Sequence, residues 1–310
     1  MKLFAPKYYK DFVCIADKCK NSCCIGWEID IDDDTMKKYG SLTHSYAKTI
    51  KDSIDVDETP HFKLLPGDRC PHLNCDGLCK IILSLGEDYL CDICREHPRF
   101  YNRTSKGVEV GIGISCEEAC RIVLSSDGYG EIAEIGDIDL TEEGTVYDCL
   151  EYRNRIYSVL SEEALSLSDK LSAVCKEFNV TPTVLTDNEW RDVISSLEYL
   201  SDSHRDMFLL YSSDVPISDE YSKPLLRAFA YFVYRHCTGV SGYDDFCASL
   251  GMCIFLFKLL VSLINGKEFC AIESICDLAR IISEEIEYSE ENTDAIKFEF
   301  AVRMGEKIEC

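Results

Sequence analysis

The sequence predicts a mainly α-helical protein with a cysteine-rich N-terminal region, and two observations support this fold class. Eleven of the nineteen cysteines lie between Cys14 and Cys120, where long helical periods are scarce. Beyond residue 140, apolar residues recur three and four positions apart, as in helices that bury one face. We therefore expect a metal-organised region with a small β-hairpin over residues 1–125, packed on a helical bundle over residues 126–310.

A hairpin is predicted from a two-residue period. Val108, Val110, Ile112 and Ile114 alternate with smaller or polar residues, as in a half-buried strand. We expect this strand to pair with Phe100-Tyr101 through a turn at Ser105-Lys106-Gly107. Gly111 and Gly113 superficially resemble a nucleotide-binding loop, but the alternation already explains them as strand residues.

The next segment is predicted to be a helix that runs to Leu124. Ser115 and Glu118 have the spacing of a capping box at its start. The acidic, glycine-containing stretch 125–139 is interpreted as the boundary between the two regions.

Eight helical segments are predicted after this boundary, separated by breakers such as Pro182, Pro216 and Gly239. They lie near residues 142–163, 164–178, 188–200, 203–213, 219–238, 243–265, 267–288 and 291–309.

Charge and hydropathy exclude several classes of partner. The 310 residues include 32 Lys and Arg against 56 Asp and Glu, a net charge of −24. Such a chain repels phosphates, so we expect neither nucleic acid nor a membrane as a partner, whereas a cationic protein segment is tolerated. Residues 1–12 contain no apolar core of a secretory signal, and Lys258 interrupts the apolar run 247–264. We therefore predict a cytoplasmic protein with a buried core helix.

The cysteines themselves predict a metal site. Cytosolic proteins keep their thiols reduced, and an odd number of cysteines cannot pair completely within one chain. The first cluster is Cys14, Cys19, Cys23 and Cys24, within eleven residues. Because adjacent side chains point in different directions, we expect that Cys23 and Cys24 do not bind the same metal atom, and that one of them serves a second site or the core.

Two further clusters leave the identity of the metal open. One contains Cys70, Cys75 and Cys79, and the other is the Cys91-x2-Cys94 pair. Cys91 and Cys94 together with Cys116 and Cys120 are compatible with a four-cysteine zinc site. That site leaves seven of the eleven cysteines unexplained, so two zinc ions, or an iron–sulfur cluster with free thiols, fit the number better. His72 and His97 lie near these cysteines, and a polar surface role is favoured for both over metal binding.

Together with their flanking residues, these cysteines resemble the flagellin lysine-N-methylase family, within a wider group of cysteine-rich proteins described as zinc- or iron-chelating. The resemblance extends along nearly the whole chain. It is carried by Pro6-x-Tyr8-Tyr9, Phe12-x-Cys14, Cys23-Cys24-x-Gly26-Trp27, Cys70-Pro71-x-Leu73, Gly77-Leu78-Cys79, Leu85-Gly86-Glu87-Asp88, Cys94-Arg95, Pro98-Arg99 and Ser115-Cys116, then by Tyr231-Phe232-x-Tyr234-Arg235-His236 and Ile286-Glu287-x-Ser289-Glu290-Glu291-Asn292.

The resemblance implies a 4Fe-4S cluster and methylation of flagellin lysines, or of another protein with exposed lysines, from S-adenosylmethionine. Carried over position by position, the family's thiolates are Cys14, Cys19, Cys23, Cys24, Cys70, Cys79, Cys94 and Cys116. Cys75, Cys91 and Cys120 have no counterpart among the family's thiolate positions, and His97 stands where the family motif has tyrosine. The resemblance assigns no catalytic residue and no S-adenosylmethionine-binding residue. The alternative function is a non-catalytic zinc-binding module that acts through protein contacts.

Overall fold

The computed structural model describes residues 1–57, 59–140, 146–266 and 271–305. They form two compact units that are interleaved along the chain. The smaller, here called the thiol unit, comprises Val13–Phe100 and Cys116–Glu118. The larger, here called the helical unit, comprises Met1–Phe12, Tyr101–Ser115 and the chain from Ala119 onward. The division into 1–125 and 126–310 does not coincide with these units, and whether those two regions are domains stays a prediction.

Helices dominate the structure, as the sequence predicts. The described residues contain thirteen α-helices: α1 (Asp33–Ser41), α2 (Ala47–Asp52), α3 (Lys80–Leu85), α4 (Asp92–Glu96), α5 (Glu117–Ser125), α6 (Leu150–Leu160), α7 (Leu167–Glu177), α8 (Asp187–Ser196), α9 (Asp202–Phe208), α10 (Ser222–His236), α11 (Tyr243–Asn265), α12 (Ile272–Ile282) and α13 (Glu290–Gly305). The mainly α fold class is confirmed. The helices α6 to α13 correspond one to one with the eight predicted segments, of which residues 142–145, 267–270 and 306–309 lie outside the described residues.

Six short strands accompany these helices in the described part of the chain: β1 (Lys2–Pro6), β2 (Ile54–Asp55), β3 (His61–Phe62), β4 (Arg99–Thr104), β5 (Gly107–Ile112) and β6 (Ile132–Asp137). β2 and β3 form an antiparallel pair in the thiol unit. The other four form one sheet in the order β4-β5-β1-β6.

The predicted hairpin is the β4-β5 pair, and the sheet extends it by two strands. β1 lies parallel to β5, with Leu3 opposite Val108, and antiparallel to β6. Residues 125–139, interpreted from the sequence as a boundary between two regions, contain β6, a strand that the sequence did not predict. That strand is largely exposed and lacks an alternating pattern, so only its backbone pairing with β1 reveals it. Gly107 has a φ of +145°, and a Cβ there would lie 2.4 Å from the carbonyl oxygen of Lys2 in β1.

β5 is buried along its whole length, not half-buried as its alternation predicts. β4 and β1 pair with its two edges. Its charged residue, Glu109, has a cationic partner inside the protein. Arg153 of α6 donates two hydrogen bonds to the Glu109 carboxylate, at 2.5 and 2.7 Å. The guanidinium also lies over the rings of Tyr157 and Tyr234, at 5.9 and 5.3 Å from their centroids.

The start of α5 also differs from expectation. Ser115 Oγ is buried and has no hydrogen-bond partner among the described residues, so the predicted capping box is absent. The helix begins at Glu117, and the carboxylate of that residue is used in the thiol unit, as described below.

The longest helix, α11, is the core of the helical unit. It packs against α10, α12 and α13. Its length and mean hydropathy of 2.3 would suit a membrane span, but 94% of that window is buried inside the protein. The prediction of a buried core helix is confirmed.

We predict that Arg153→Met lowers the free energy of unfolding of the helical unit by about 3–5 kcal/mol, because it leaves the buried Glu109 carboxylate without its partner. Chemical denaturation followed by circular dichroism measures the loss. The double variant Arg153→Met/Glu109→Leu removes both charges and is expected to recover most of the stability. A double variant as unstable as the single one would contradict this account.

Candidate functional site

All eight predicted thiolate ligands lie in the thiol unit, together with Cys75 and Cys91. None of the cysteines that the structure describes forms a disulfide bond. Nine of the thiols fall into two groups, which we define by whether the cysteine packs in or against one apolar core. The inner thiol group contains Cys24, Cys70, Cys79, Cys91 and Cys94, and the outer thiol group contains Cys14, Cys19, Cys23 and Cys116.

Backbone pairing brings the remote members of the inner group together. The Cys70 amide donates to the Cys24 carbonyl at 2.9 Å, and the Gly26 amide donates to the Asp68 carbonyl at 3.0 Å. Ile25 forms an antiparallel bridge with Arg69 between these two bonds. Two segments more than forty residues apart are thus held side by side.

The remaining inner thiols stand at or near the starts of two short helices. Cys79 is the N-cap residue of α3, and Cys91 is the N-cap residue of α4, in which Cys94 also lies. Neither N-cap thiol makes a capping hydrogen bond. All five inner thiols pack in one apolar core, whose other members include Tyr39, Phe62 and Ile81.

Burial and crowding set the acidity of the inner thiols. Burial, with smaller contributions from the neighbouring Cys24 and Cys79 sulfurs, raises the pKa of Cys70 to about 11. The Cys91 thiol, and then burial, raises the pKa of Cys94. The Cys94 thiol in turn lowers the pKa of Cys91. The inner thiols therefore cannot all ionise together unless positive charge is supplied to them.

The outer group is more accessible. Cys14 and Cys23 are exposed, and Cys19 and Cys116 are half-buried. Burial raises the pKa of Cys19 to about 11, with a contribution from Cys116. Cys23 interacts with Cys14 and Cys116, and also with the adjacent Cys24.

Glu117 ties the loop that carries Cys19 to the segment that carries Cys116. Its Oε2 atom accepts hydrogen bonds from the backbone amides of Lys20 and Asn21 at 2.8 and 3.1 Å, and from Asn21 Nδ2 at 3.2 Å. The Cys19 thiol donates to the same oxygen at 3.7 Å and to the Asn21 carbonyl at 3.2 Å. The sequence does not reveal this role, because nothing local links residue 117 to residues 19–21.

Cys24 packs against the inner apolar core and Cys23 is exposed, and whether the two bind the same metal atom stays a prediction. Their thiols still interact: the Cys23 thiol lowers the pKa of Cys24 to about 7, with help from Ser22 and Arg69. The dipeptide is therefore the place where the two groups meet.

The sulfurs are gathered but do not surround a common point. No three His, Cys, Asp or Glu side chains in the described ranges are placed so that they could hold one metal ion. A tetrahedral zinc site requires four ligands on one atom. The arrangement is therefore not that of a preformed single-ion site, and the metal-binding role of the eight cysteines stays a prediction.

The four cysteines that the sequence allows for a zinc site do not all lie in one group. Cys91 and Cys94 are in the inner group, and Cys116 is in the outer group. Cys120 lies in the helical unit, where its buried thiol donates to the Cys276 carbonyl at 3.3 Å. Cys75 is exposed.

Neither histidine has the polar surface role favoured by the sequence. His72 is buried, its Nδ1 lies 2.9 Å from the Tyr46 hydroxyl, and its Nε2 lies 3.0 Å from the Ser53 hydroxyl. Burial lowers the pKa of His72 to about 4 and that of His97 to about 4. His97 packs edge-on against Trp27, and its Nε2 has no hydrogen-bond partner among the described residues. Short-range sequence patterns do not reveal this burial, because the covering residues are distant in the chain.

A second polar cluster forms inside the helical unit from motifs that carry the resemblance. His236 Nε2 lies 2.6 Å from the buried Glu287 Oε1, and Tyr231 donates to Glu287 Oε2 at 3.4 Å. Arg235 donates to the Tyr231 hydroxyl at 3.0 Å. Burial alone would raise the pKa of Glu287, but Arg235 and His236 together lower it. The carboxylate is thus held ionised in the interior.

A neighbouring buried carboxylate, Glu285, was not singled out from the sequence. It pairs with His204 Nδ1 at 2.5 Å and accepts from the Leu200 amide at 2.7 Å. Both carboxylates lie on a π-helical turn, Ser283–Glu287, between α12 and α13. Such turns are frequent at functional sites, but a π-helical turn has no sequence signature here.

Curated relatives are found in Salmonella. A lysine-N-methylase of Salmonella choleraesuis strain SC-B67 is 29% identical over 136 residues, which cover 42% of this chain and 34% of that protein. A lysine-N-methylase of Salmonella typhimurium strain LT2 matches with the same identity and coverage. The flagellar biosynthetic protein FliU of Salmonella muenchen is 29% identical over 127 residues, which cover 39% of this chain and 75% of that protein.

This chain is similar to lysine-N-methylases over part of its length. The similarity supports a family relationship over about two fifths of the chain, less than the resemblance read along nearly the whole sequence. The match spans about a third of the length of those methylases. No family model and no solved structure matches the chain.

We predict that Glu117→Ala loosens the loop at residues 19–21, because their amides lose a charged acceptor. Hydrogen bonds to charged groups contribute about 1.5–3 kcal/mol each to stability. Because the amides that bond to Glu117 are partly exposed, we expect their contribution to lie at the lower end of that range. Hydrogen exchange measured by mass spectrometry is expected to quicken at the Lys20 and Asn21 amides. Glu117→Gln keeps an oxygen acceptor and is expected to show a smaller effect. Unchanged exchange in Glu117→Ala would refute the assigned role.

Proposed function

We propose that this protein is a protein-lysine N-methyltransferase that uses S-adenosylmethionine, with an iron–sulfur cluster bound by the outer thiol group. The observation that carries the proposal is the similarity to lysine-N-methylases in a chain whose thiols are gathered in one unit. The name of the flagellar relative extends the proposal to flagellin as the substrate.

The outer group fits a cluster through its donor atoms. Iron–sulfur clusters are held by cysteine thiolates, and four cubane ligands bind four different irons. Thiols that are gathered without closing on one point are compatible with that requirement. The exposure of Cys14 and Cys23 favours this group over the inner one for a cluster that a soluble cosubstrate must reach.

If only three of the four outer thiols bound a cluster, its fourth iron would be open to the amino and carboxylate groups of S-adenosylmethionine. The chain itself must position the loop that carries Cys19, and Glu117 does so through its contacts with residues 19–21. Partners of this kind fix ligand orientation in metal sites and are worth about 10- to 100-fold in metal affinity or activity.

The charge of the chain suits a basic protein substrate. A net charge of −24 attracts a lysine-bearing segment and raises its local concentration. Methyl transfer also requires the lysine to lose its proton, because only the neutral amine is nucleophilic. Desolvation of the lysine on binding would lower its pKa in the required direction.

We predict that the full chain, purified without oxygen, transfers methyl groups from S-adenosylmethionine to flagellin of the same organism. Mass spectrometry is expected to show an added methyl group on flagellin lysines. Cys14→Ser/Cys23→Ser is expected to lose both the transfer and the iron of the outer group. Cys175→Ser, a buried thiol of α7, is the matched control and is expected to keep both.

The alternative, a zinc-binding interaction module, predicts a colourless protein without transfer. An iron-containing protein that methylates no lysine on flagellin or on other lysine-bearing proteins would refute the proposed activity. A zinc-only protein that still methylates lysine would refute the cluster while preserving the activity.

A further inference from the structure

We propose that His236 is the general base that takes the proton from the lysine ammonium group before methyl transfer. The inference rests on the proposed function, because it assigns the group that removes this proton in the same reaction. It concerns the polar cluster around Glu287, which lies entirely in the helical unit.

The Glu287 carboxylate holds the imidazole of His236 in one protonation form. His236 Nε2 lies 2.6 Å from Glu287 Oε1, and the Glu287 side chain has no exposed surface. Arg235 Nε lies 3.6 Å from the same oxygen and helps to keep the carboxylate ionised. Because an ionised carboxylate can only accept, the hydrogen between the two side chains is on Nε2. The lone pair of the imidazole is therefore on Nδ1.

The nitrogen that carries the lone pair is accessible. His236 Nδ1 has no hydrogen-bond partner among the described residues, and it is not fully buried. The His236 side chain keeps 14% of its surface exposed, whereas its partner Glu287 is fully covered. A recessed base of this kind suits lysine, because the four-carbon stem of a lysine side chain is long and flexible.

The surrounding charges favour a neutral His236. Burial lowers its pKa below the ordinary value, Glu287 opposes this effect, and Arg235 and Lys297 add to the lowering. Lys297 of α13 is itself paired with Asp245 of α11 at 3.1 Å. A neutral imidazole can accept a proton at pH 7, and the carboxylate behind it stabilises the imidazolium that forms.

Arg235 has a second effect that favours loss of the lysine proton. Its guanidinium lies 4.7 Å from the centroid of the Tyr288 ring and donates to the Tyr231 hydroxyl at 3.0 Å. The positive charge is therefore held in place, and both Arg235 and His236 contact the same oxygen of Glu287. A fixed positive charge lowers the pKa of a second cation that comes close to it. A lysine ammonium that approaches His236 thus becomes easier to deprotonate.

The proposed step balances in atoms and charge. The lysine ammonium gives one proton to His236 Nδ1 and becomes a neutral amine. The amine nitrogen then forms a bond to the methyl carbon of S-adenosylmethionine as the carbon–sulfur bond breaks, and the sulfonium leaves as a neutral thioether. The methylated lysine carries the positive charge, and the imidazolium returns its proton to water.

The second histidine–carboxylate pair on the same π-helical turn provides a matched control. His204 Nδ1 pairs with Glu285 at 2.5 Å, much as His236 pairs with Glu287. Glu285 is also buried, but its other hydrogen bond among the described residues comes from the Leu200 amide and not from an arginine. Loss of the His204 imidazole therefore removes the same kind of contact from the turn without removing the base.

Nuclear magnetic resonance of the full chain with ¹⁵N-labelled histidine tests the protonation form without an assay of activity. His236, assigned through its backbone, is expected to be neutral at pH 7 with its proton on Nε2. An imidazolium at pH 7, or a neutral ring with its proton on Nδ1, would overturn the inference whether or not the protein methylates lysine.

The pH dependence of methyl transfer to flagellin tests the role of His236 in the reaction. His236→Gln is expected to lower kcat by about 10²- to 10⁴-fold at pH 7, the usual contribution of a general base. The loss is expected to shrink between pH 7 and pH 9, because neutral lysine becomes more abundant as the pH rises towards the lysine pKa of about 10.4. Unchanged affinity for S-adenosylmethionine is expected, and it shows that the variant is folded.

The control separates a role in proton transfer from a role in folding. His204→Gln is expected to keep the wild-type kcat and pH dependence. Equal losses of kcat in His204→Gln and His236→Gln, or a loss in His236→Gln that does not change with pH, would show a structural role and refute the base. A fully active His236→Gln would refute the inference only, whereas a wild-type protein that methylates no lysine at any pH would refute the proposed function and the inference with it.

Discussion

The pairing of the backbone at residues 24–26 with that at residues 68–70 is the constraint on which the thiol unit depends. It places Cys24 beside Cys70 through an amide-to-carbonyl hydrogen bond of 2.9 Å. Without it, the first cysteine cluster and the later ones would remain separate stretches of irregular chain. Once the two segments are side by side, the short helices α3 and α4 can add Cys79, Cys91 and Cys94 to the same core.

The same pairing explains why the thiols divide. Cys24 is held by its carbonyl in the pairing with Cys70, whereas the Cys23 carbonyl accepts a hydrogen bond from Trp27 Nε1 at 2.6 Å. The two thiols nevertheless lie close enough to hydrogen-bond, so the two groups meet at this dipeptide. The inner group contains two buried thiols, Cys70 and Cys91, whereas the outer group contains two exposed thiols, Cys14 and Cys23.

The helical unit is distinguished by charged side chains buried in its interior. Glu109, Glu285 and Glu287 are all buried, and each has a cationic or imidazole partner within the unit. A buried ion pair contributes little net stability compared with apolar residues, but loss of one partner is costly. The unit therefore depends on the correct packing of α6, α9 and α10, which carry Arg153, His204 and His236. Tyr231, His236 and Glu287 of this polar cluster are among the residues that carry the resemblance read from the sequence.

The sequence alone determined the helices and the chemical type of the site. Periodicity predicted the eight helices α6 to α13 and the hairpin, because helix faces and turn residues are local properties of the chain. The density of cysteines indicated thiolate chemistry. Tertiary structure decided the rest: the addition of β1 and β6 to the sheet, the burial of His72, the role of Glu117 and the membership of each thiol group. These features depend on hydrogen bonds and packing between residues tens of positions apart, and local periodicity and spacing carry no record of such contacts.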